Sequence, residues 1–139
     1  MRFSGKIYKD GKFWLAEIPI LDLMTQGYTK QEAIEMVKDM IESLIESSDT
    51  KVNIYEKTAN YFEIGAADLK PLVGLLLRRK RESSGLSLAQ VADRLGFSSK
   101  NSYAKYEKSF AIPTLQKFNE ILMAINPKSD FIIEESVIA

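Results

Sequence analysis

When residues 99–110 are wound as a helix, Asn101, Ala104, Lys105 and Lys108 fall on one face. That face carries amide and ammonium donors, one methyl-sized residue and no acid. Such a surface suits the DNA major groove, where each base pair shows its own pattern of acceptors and donors and thymine adds a methyl group. On the same wheel Tyr103, Tyr106 and Phe110 make an apolar side that would hold the helix from behind. Farther upstream, Arg78-Arg79-Lys80-Arg81 places four consecutive positive charges before Glu82. These fit either a phosphate clamp beside a groove or a solvated helix end, where cations also suit the macrodipole.

The neighbouring stretches explain how such a face would be positioned. Leu88, Val91, Ala92 and Leu95 recur at i, i+3, i+4 and i+7, the apolar stripe of a short helix. Ser87 is placed to cap it, and Gly96 lets the chain turn out cheaply. Ser98 or Ser99 can cap the next helix, so the pattern predicts a helix-turn-helix. Before it, Asp68 caps a helix with Pro71 in its first turn and Leu72, Val73, Leu76 and Leu77 on its apolar face. After it, Ile112-Pro113-Thr114 opens a last helix with Leu115, Phe118, Leu122 and Ile125 on one side, stopped by Asn126-Pro127. Phe131-Ile132-Ile133 is an apolar tail that either packs on this region or pairs with the same segment of a second chain.

This region resembles the DNA-binding domain shared by Cro and C1 phage repressors and Xre-like regulators. The matching residues are Leu86-Ser87, Val91-Ala92, Leu95-Gly96, Tyr103, Tyr106-Glu107 and Ile112-Pro113-Thr114-Leu115; the turn between Gly96 and Tyr103 is one residue longer than usual. The resemblance implies that Lys100, Asn101 and Lys105 lie at base edges. Ser87, Ser99 and the cluster Arg78, Arg79, Lys80 and Arg81 would touch phosphates.

The chain has 139 residues, 45% of them hydrophobic, enough for one domain or two small ones. No apolar run reaches the length of a membrane span and there is no signal-peptide pattern, so a cytoplasmic setting is expected. The chain contains no cysteine and no histidine. That excludes disulfides, thiol nucleophiles, imidazole bases and thiolate or imidazole metal sites, and no cofactor, metal or catalytic residue is expected. Net charge is zero, but residues 1–68 carry 8 Lys and Arg against 12 Asp and Glu, whereas residues 69–139 carry 11 against 7. The first half is poorly suited to gripping a polyanion and the second well suited.

In the first half, residues 2–9 alternate, with Phe3 and Ile7 on one face. Asp10-Gly11 predicts a type I′ hairpin turn into a strand over residues 12–18, ended by Pro19. Residues 20–28 read as a loop. Thr29-Lys30-Gln31-Glu32 fits a capping box, opening a helix with Ile34, Val37, Ile41 and Leu44 inward, broadened by Ala33, Met40 and Ile45. Glu35, Lys38, Asp39, Glu42 and Glu46 take the opposite face. Residues 52–55 predict a third strand and 61–64 a weaker fourth. The expected architecture is an α+β unit over residues 1–65, built as hairpin, helix and strand, then an all-α helix-turn-helix unit over residues 66–139.

The first unit resembles the N-terminal domain of HicB-type antitoxins. Its landmarks are the strand-turn-strand, Ile18-Pro19 with Leu21-Asp22, and Thr25-Gln26-Gly27-Tyr28-Thr29 leading into Glu32-Ala33. The resemblance implies a partial ribonuclease-H-like fold and a HicA-like, RNA-cleaving toxin as partner. An acidic domain has the right sign to meet a basic toxin. Double-stranded operator DNA would be the second partner, bound by a homodimer or higher homo-oligomer on an inverted repeat. The alternative is a transcription regulator with a sensory N-terminal domain and no toxin. A nuclease would need carboxylates converging on magnesium; Asp22 and Glu17 near the hairpin read as ordinary surface charge.

Overall fold

The computed structural model describes residues 1–45 and 49–137; Glu46, assigned above to a helix face, lies outside the described residues. Strands β1 (Arg2–Asp10), β2 (Phe13–Ile18), β3 (Leu23–Gly27), β4 (Val52–Thr58) and β5 (Tyr61–Ala66) form one sheet in the order β3-β2-β1-β5-β4. Every pairing is antiparallel. Helix α1 (Lys30–Leu44) packs on one face, sealing Phe3, Ile7, Ala16, Ile18, Phe62 and Ile64 under Ile34, Val37 and Ile41.

Three local expectations are corrected. Asp10 pairs with Phe13, so the two-residue turn is Gly11-Lys12, and of these only Gly11 has positive φ, +61°. A type I′ turn needs positive φ at both positions, whereas glycine leading with an ordinary residue after it is the type II′ pattern. Residues 20–28 are not a loop: a 3-10 turn over Pro19–Leu21 leads directly into β3. The strand escapes notice because its inward positions are Leu23, Thr25 and Gly27, and the buried Thr25 hydroxyl is satisfied by donating to Ala33 O at 2.8 Å. The weak fourth strand, β5, runs between β1 and β4 with Phe62, Glu63, Ile64 and Gly65 all buried.

Thr29 caps α1 by accepting from Glu32 N–H at 3.1 Å, while the Glu32 carboxylate accepts from Tyr28 N–H at 3.2 Å, one residue before the cap. Helix α2 (Leu69–Ser83) starts as expected, with Asp68 accepting from Lys70 N–H. It is buried on all sides from Pro71 to Leu77 because it serves two cores. Leu72, Leu75 and Leu76 join the sheet core; Val73 and Leu77 join a second core with Val91, Ala92, Tyr103, Ile121, Leu122 and Ile125. That second core is built by α3 (Leu88–Arg94), α4 (Asn101–Glu107) and α5 (Leu115–Ile125).

The tail crosses between the two units. Phe131 packs on the helical core beneath Lys80, whose ammonium lies 5.7 Å from the ring centroid. Ile132 and Ile133 stay 91% and 90% exposed. Ser136 then donates to the buried Glu63 at 2.5 Å, and Lys57 donates to Val137 O. Glu63 is also paired with Arg2 at 3.1 Å and accepts from the Tyr61 hydroxyl at 3.3 Å.

Candidate nucleic-acid interface

Three successive helices in the second unit end in the same way. At the end of α2, Gly85 N–H bonds to Glu82 O and Leu86 N–H to Arg81 O; at the end of α3, Gly96 N–H bonds to Asp93 O and Phe97 N–H to Ala92 O. At the end of α4, Ser109 N–H bonds to Tyr106 O and Phe110 N–H to Lys105 O. This paired closure is the Schellman motif, which requires a left-handed residue. Gly85, Gly96 and Ser109 supply it with φ of +70°, +75° and +63°. Leu86 and Phe97, the residues after the first two turns, fold back onto the core, whereas Phe110 is 77% exposed.

That ending corrects the helical wheel read from the sequence. The left-handed Ser109 takes the chain out of α4, so Phe110 no longer shares a face with Tyr103 and points to solvent. Ala104, placed on the outer face, is only 3% exposed and packs inward beside Tyr103. Farther along, α2 and α4 approach closely. A Cβ on Gly74 of α2 would stand 2.6 Å from Glu107 O. Leu115 is also corrected: it is 75% exposed despite its place on the stripe of α5. It is the first residue of that helix, and the stripe that packs on the core begins one turn later at Phe118.

The remaining outer face is the expected donor surface. Lys100, Asn101, Lys105 and Lys108 are all exposed, with the Lys105 ammonium 5.1 Å from the Tyr106 ring centroid. Ser99 accepts from Asn101 N–H at 3.2 Å and so caps the start of α4. Ser87 accepts from Gln90 N–H at 3.1 Å while Gln90 Oε1 accepts from Ser87 N–H at 2.8 Å. Each serine thus accepts with a lone pair and keeps its hydroxyl proton for an incoming oxygen.

The basic run at the end of α2 is placed differently. Arg78 donates to Leu44 O at 3.0 Å, and Arg79 donates to Leu21 O at 2.9 Å and Asp22 O at 2.7 Å, tying α2 to the sheet unit. Arg81 forms a fork with Glu107, at 2.7 Å and 2.9 Å, and donates a third time to Leu86 O. Lys80 lies over Phe131. Each guanidinium of this run thus has acceptors inside the protein. Glu107, unremarked in the sequence beyond its place in a resemblance, is the residue that anchors the inner end of α4.

Tyr103 completes the support. It is fully buried, and its hydroxyl has no hydrogen-bond partner among the described residues. Burial, reinforced by the nearby Glu107 carboxylate, pushes that phenol well above its usual pKa, so it stays neutral.

Residues 77–129 match the family model described as helix-turn-helix. No curated protein matches the chain. The second unit is accordingly a helix-turn-helix domain, of the class that binds DNA in transcription regulators. No helix among the described residues is long and apolar enough to cross a membrane. Among the described residues no three His, Cys, Asp or Glu side chains gather as a metal site would. Asp22 sits in a left-handed backbone at the end of the 3-10 turn, and Glu17 lies opposite Lys6 in the hairpin.

Proposed function

We propose that this protein is an antitoxin that silences its own operon. A homodimer or higher homo-oligomer would set two copies of α4 into successive major grooves of an inverted repeat, about 34 Å apart. Asn101, Lys105 and the preceding Lys100 would meet base edges there, and Ser87 and Ser99 phosphates. The N-terminal unit, taken as a partial ribonuclease-H-like domain of the HicB type, would bind and block a HicA-like toxin that cleaves RNA. The protein acts by binding and not by catalysis.

The observation that carries the reading is the exposed donor face of α4, Asn101 and Lys105 outward, held by Tyr103 and Glu107 behind. The antitoxin half rests on the HicB-like landmarks and on the acid excess of residues 1–68. Co-expression with the adjacent reading frame tests it. Co-purification of its product and rescue of growth arrest are the expected results. A soluble neighbour that neither binds nor arrests growth would leave a regulator with a sensory N-terminal unit.

A further inference from the structure

Among the described residues, strand β4 is the last of the sheet and has no neighbour beyond it. Its first amide shows what that edge lacks. Val52 N–H donates to Glu42 Oε1 of α1 at 3.0 Å instead of to β5. Donors alternate sides along an antiparallel strand, so the N–H groups of Ile54 and Glu56 face the same way, off the sheet. Glu42 stands in for the carbonyl that a sixth strand would bring to Val52.

Beside this edge runs a groove of about 570 Å³, lined by Gln31, Ile34, Glu35 and Lys38 of α1 and by residues 52–56 of β4. Ile34 and Val52 are already buried beneath it, so its apolar surface is that of the half-buried Ile54, set among polar residues. Its two banks carry Glu35 and Glu56 against Lys38; beyond the lining, Asp39 continues the acids along α1 and Lys51 precedes β4.

We infer that this groove takes an extended segment of a basic partner protein, added to β4 as a sixth strand. Main-chain hydrogen bonds to Ile54 and Glu56 give the register; an apolar residue covers Ile54, and Lys or Arg residues meet Glu35 and Glu56. The inference rests on the N-terminal unit being the partner-binding one and names where on it the partner sits. The chain's own tail is extended and apolar too, but Asp130, Glu134 and Glu135 give it the wrong sign for this groove.

Random peptides of about twelve residues, displayed on phage and selected on the full chain and on Glu56→Pro, test it. Proline at this exposed edge position removes an outward N–H and no ladder bond, and a thermal melt checks that the variant folds. The expected result is recovery of sequences that set Lys or Arg beside an apolar residue, reduced about tenfold or more on Glu56→Pro. A recovered peptide should slow hydrogen exchange at Ile54 and Glu56. A second variant, Glu35→Lys with Glu56→Lys, keeps the edge and should turn the preference toward acidic sequences. Equal recovery on wild type and Glu56→Pro, no enriched class, acidic sequences or the segment 128–137 recovered on the wild type, or unchanged exchange at those amides would overturn it. The antitoxin reading fails separately: a neighbouring gene product that binds Glu56→Pro as well as wild type sinks the groove alone, and one that binds neither sinks the antitoxin reading while the peptides still decide the groove.

Discussion

Arg81 and Glu107 meet in a two-pronged ion pair, Nε to Oε2 at 2.7 Å and Nη2 to Oε1 at 2.9 Å, with side chains 14% and 5% exposed. The pair locks the end of α2 to the end of α4, and its hydrogen bonds hold the Arg81 guanidinium more firmly in the charged form. Removing either partner alone leaves a buried charge uncompensated. Arg81→Ala and Glu107→Ala are each expected to cost about 3 kcal/mol in urea denaturation. Arg81→Met with Glu107→Leu should cost less than the sum. If Arg81 positions α4 and does not neutralise a phosphate, the slope of DNA affinity against salt should not change in Arg81→Met/Glu107→Leu; a shallower slope would show a phosphate contact.

The Tyr103 hydroxyl is buried close to the Glu107 carboxylate but makes no well-formed hydrogen bond among the described residues. Tyr103→Phe removes an unsatisfied donor while keeping the ring. It should raise stability by about 1 kcal/mol, seen as a higher denaturation midpoint, with DNA affinity unchanged.

Two glycines fail for different reasons. Gly96 has open space around it, so Gly96→Ala meets only the left-handed φ of +75° and should cost about 1–2 kcal/mol by calorimetry. Gly74→Ala instead drives a methyl against Glu107 O, a backbone atom that cannot rotate away. It should cost about 1–3 kcal/mol and also weaken operator binding, since α4 must shift.

Glu63 gives the fold an acid-side dependence. Burial works to raise its carboxyl pKa, but hydrogen bonds from Ser136 and Arg2 and the charge of Lys57 outweigh it, and the net shift is downward from 4.5. A depressed folded-state value contributes stability that is present above the unfolded pKa and lost as pH falls through the folded one. Unfolding followed from pH 7 to pH 2 should therefore show a loss beginning near the ordinary carboxylate range. Glu63→Gln should flatten that loss, and an unchanged profile would contradict the assignment.

Much of this arrangement is legible in residue types alone. Thr29, Asp68, Ser87 and Thr114 mark helix starts because a short side-chain oxygen before an apolar stripe has few other uses. Gly96 marks the turn for its φ. What hides is long-range. β3 hides because Thr25 and Gly27 point inward, and the use of Thr25 appears only when Ala33 O arrives from α1. Arg78, Arg79 and Arg81 read as a phosphate clamp or a solvated helix end, and nothing local announces that Leu44, Leu21 and Glu107 will accept from them. Phe110 and Leu115 match the periodicity yet face water, because a helix can end, or begin, outside the layer that would cover it.

Footprinting on the sequence upstream of the protein's own reading frame tests whether the outer face of α4 reads DNA. A protected inverted repeat with half-sites about 34 Å apart is expected. Asn101→Ala and Lys105→Ala should each lose about 1–3 kcal/mol of affinity there and little on unrelated DNA. No protected site, or equal losses on operator and unrelated DNA, would contradict it.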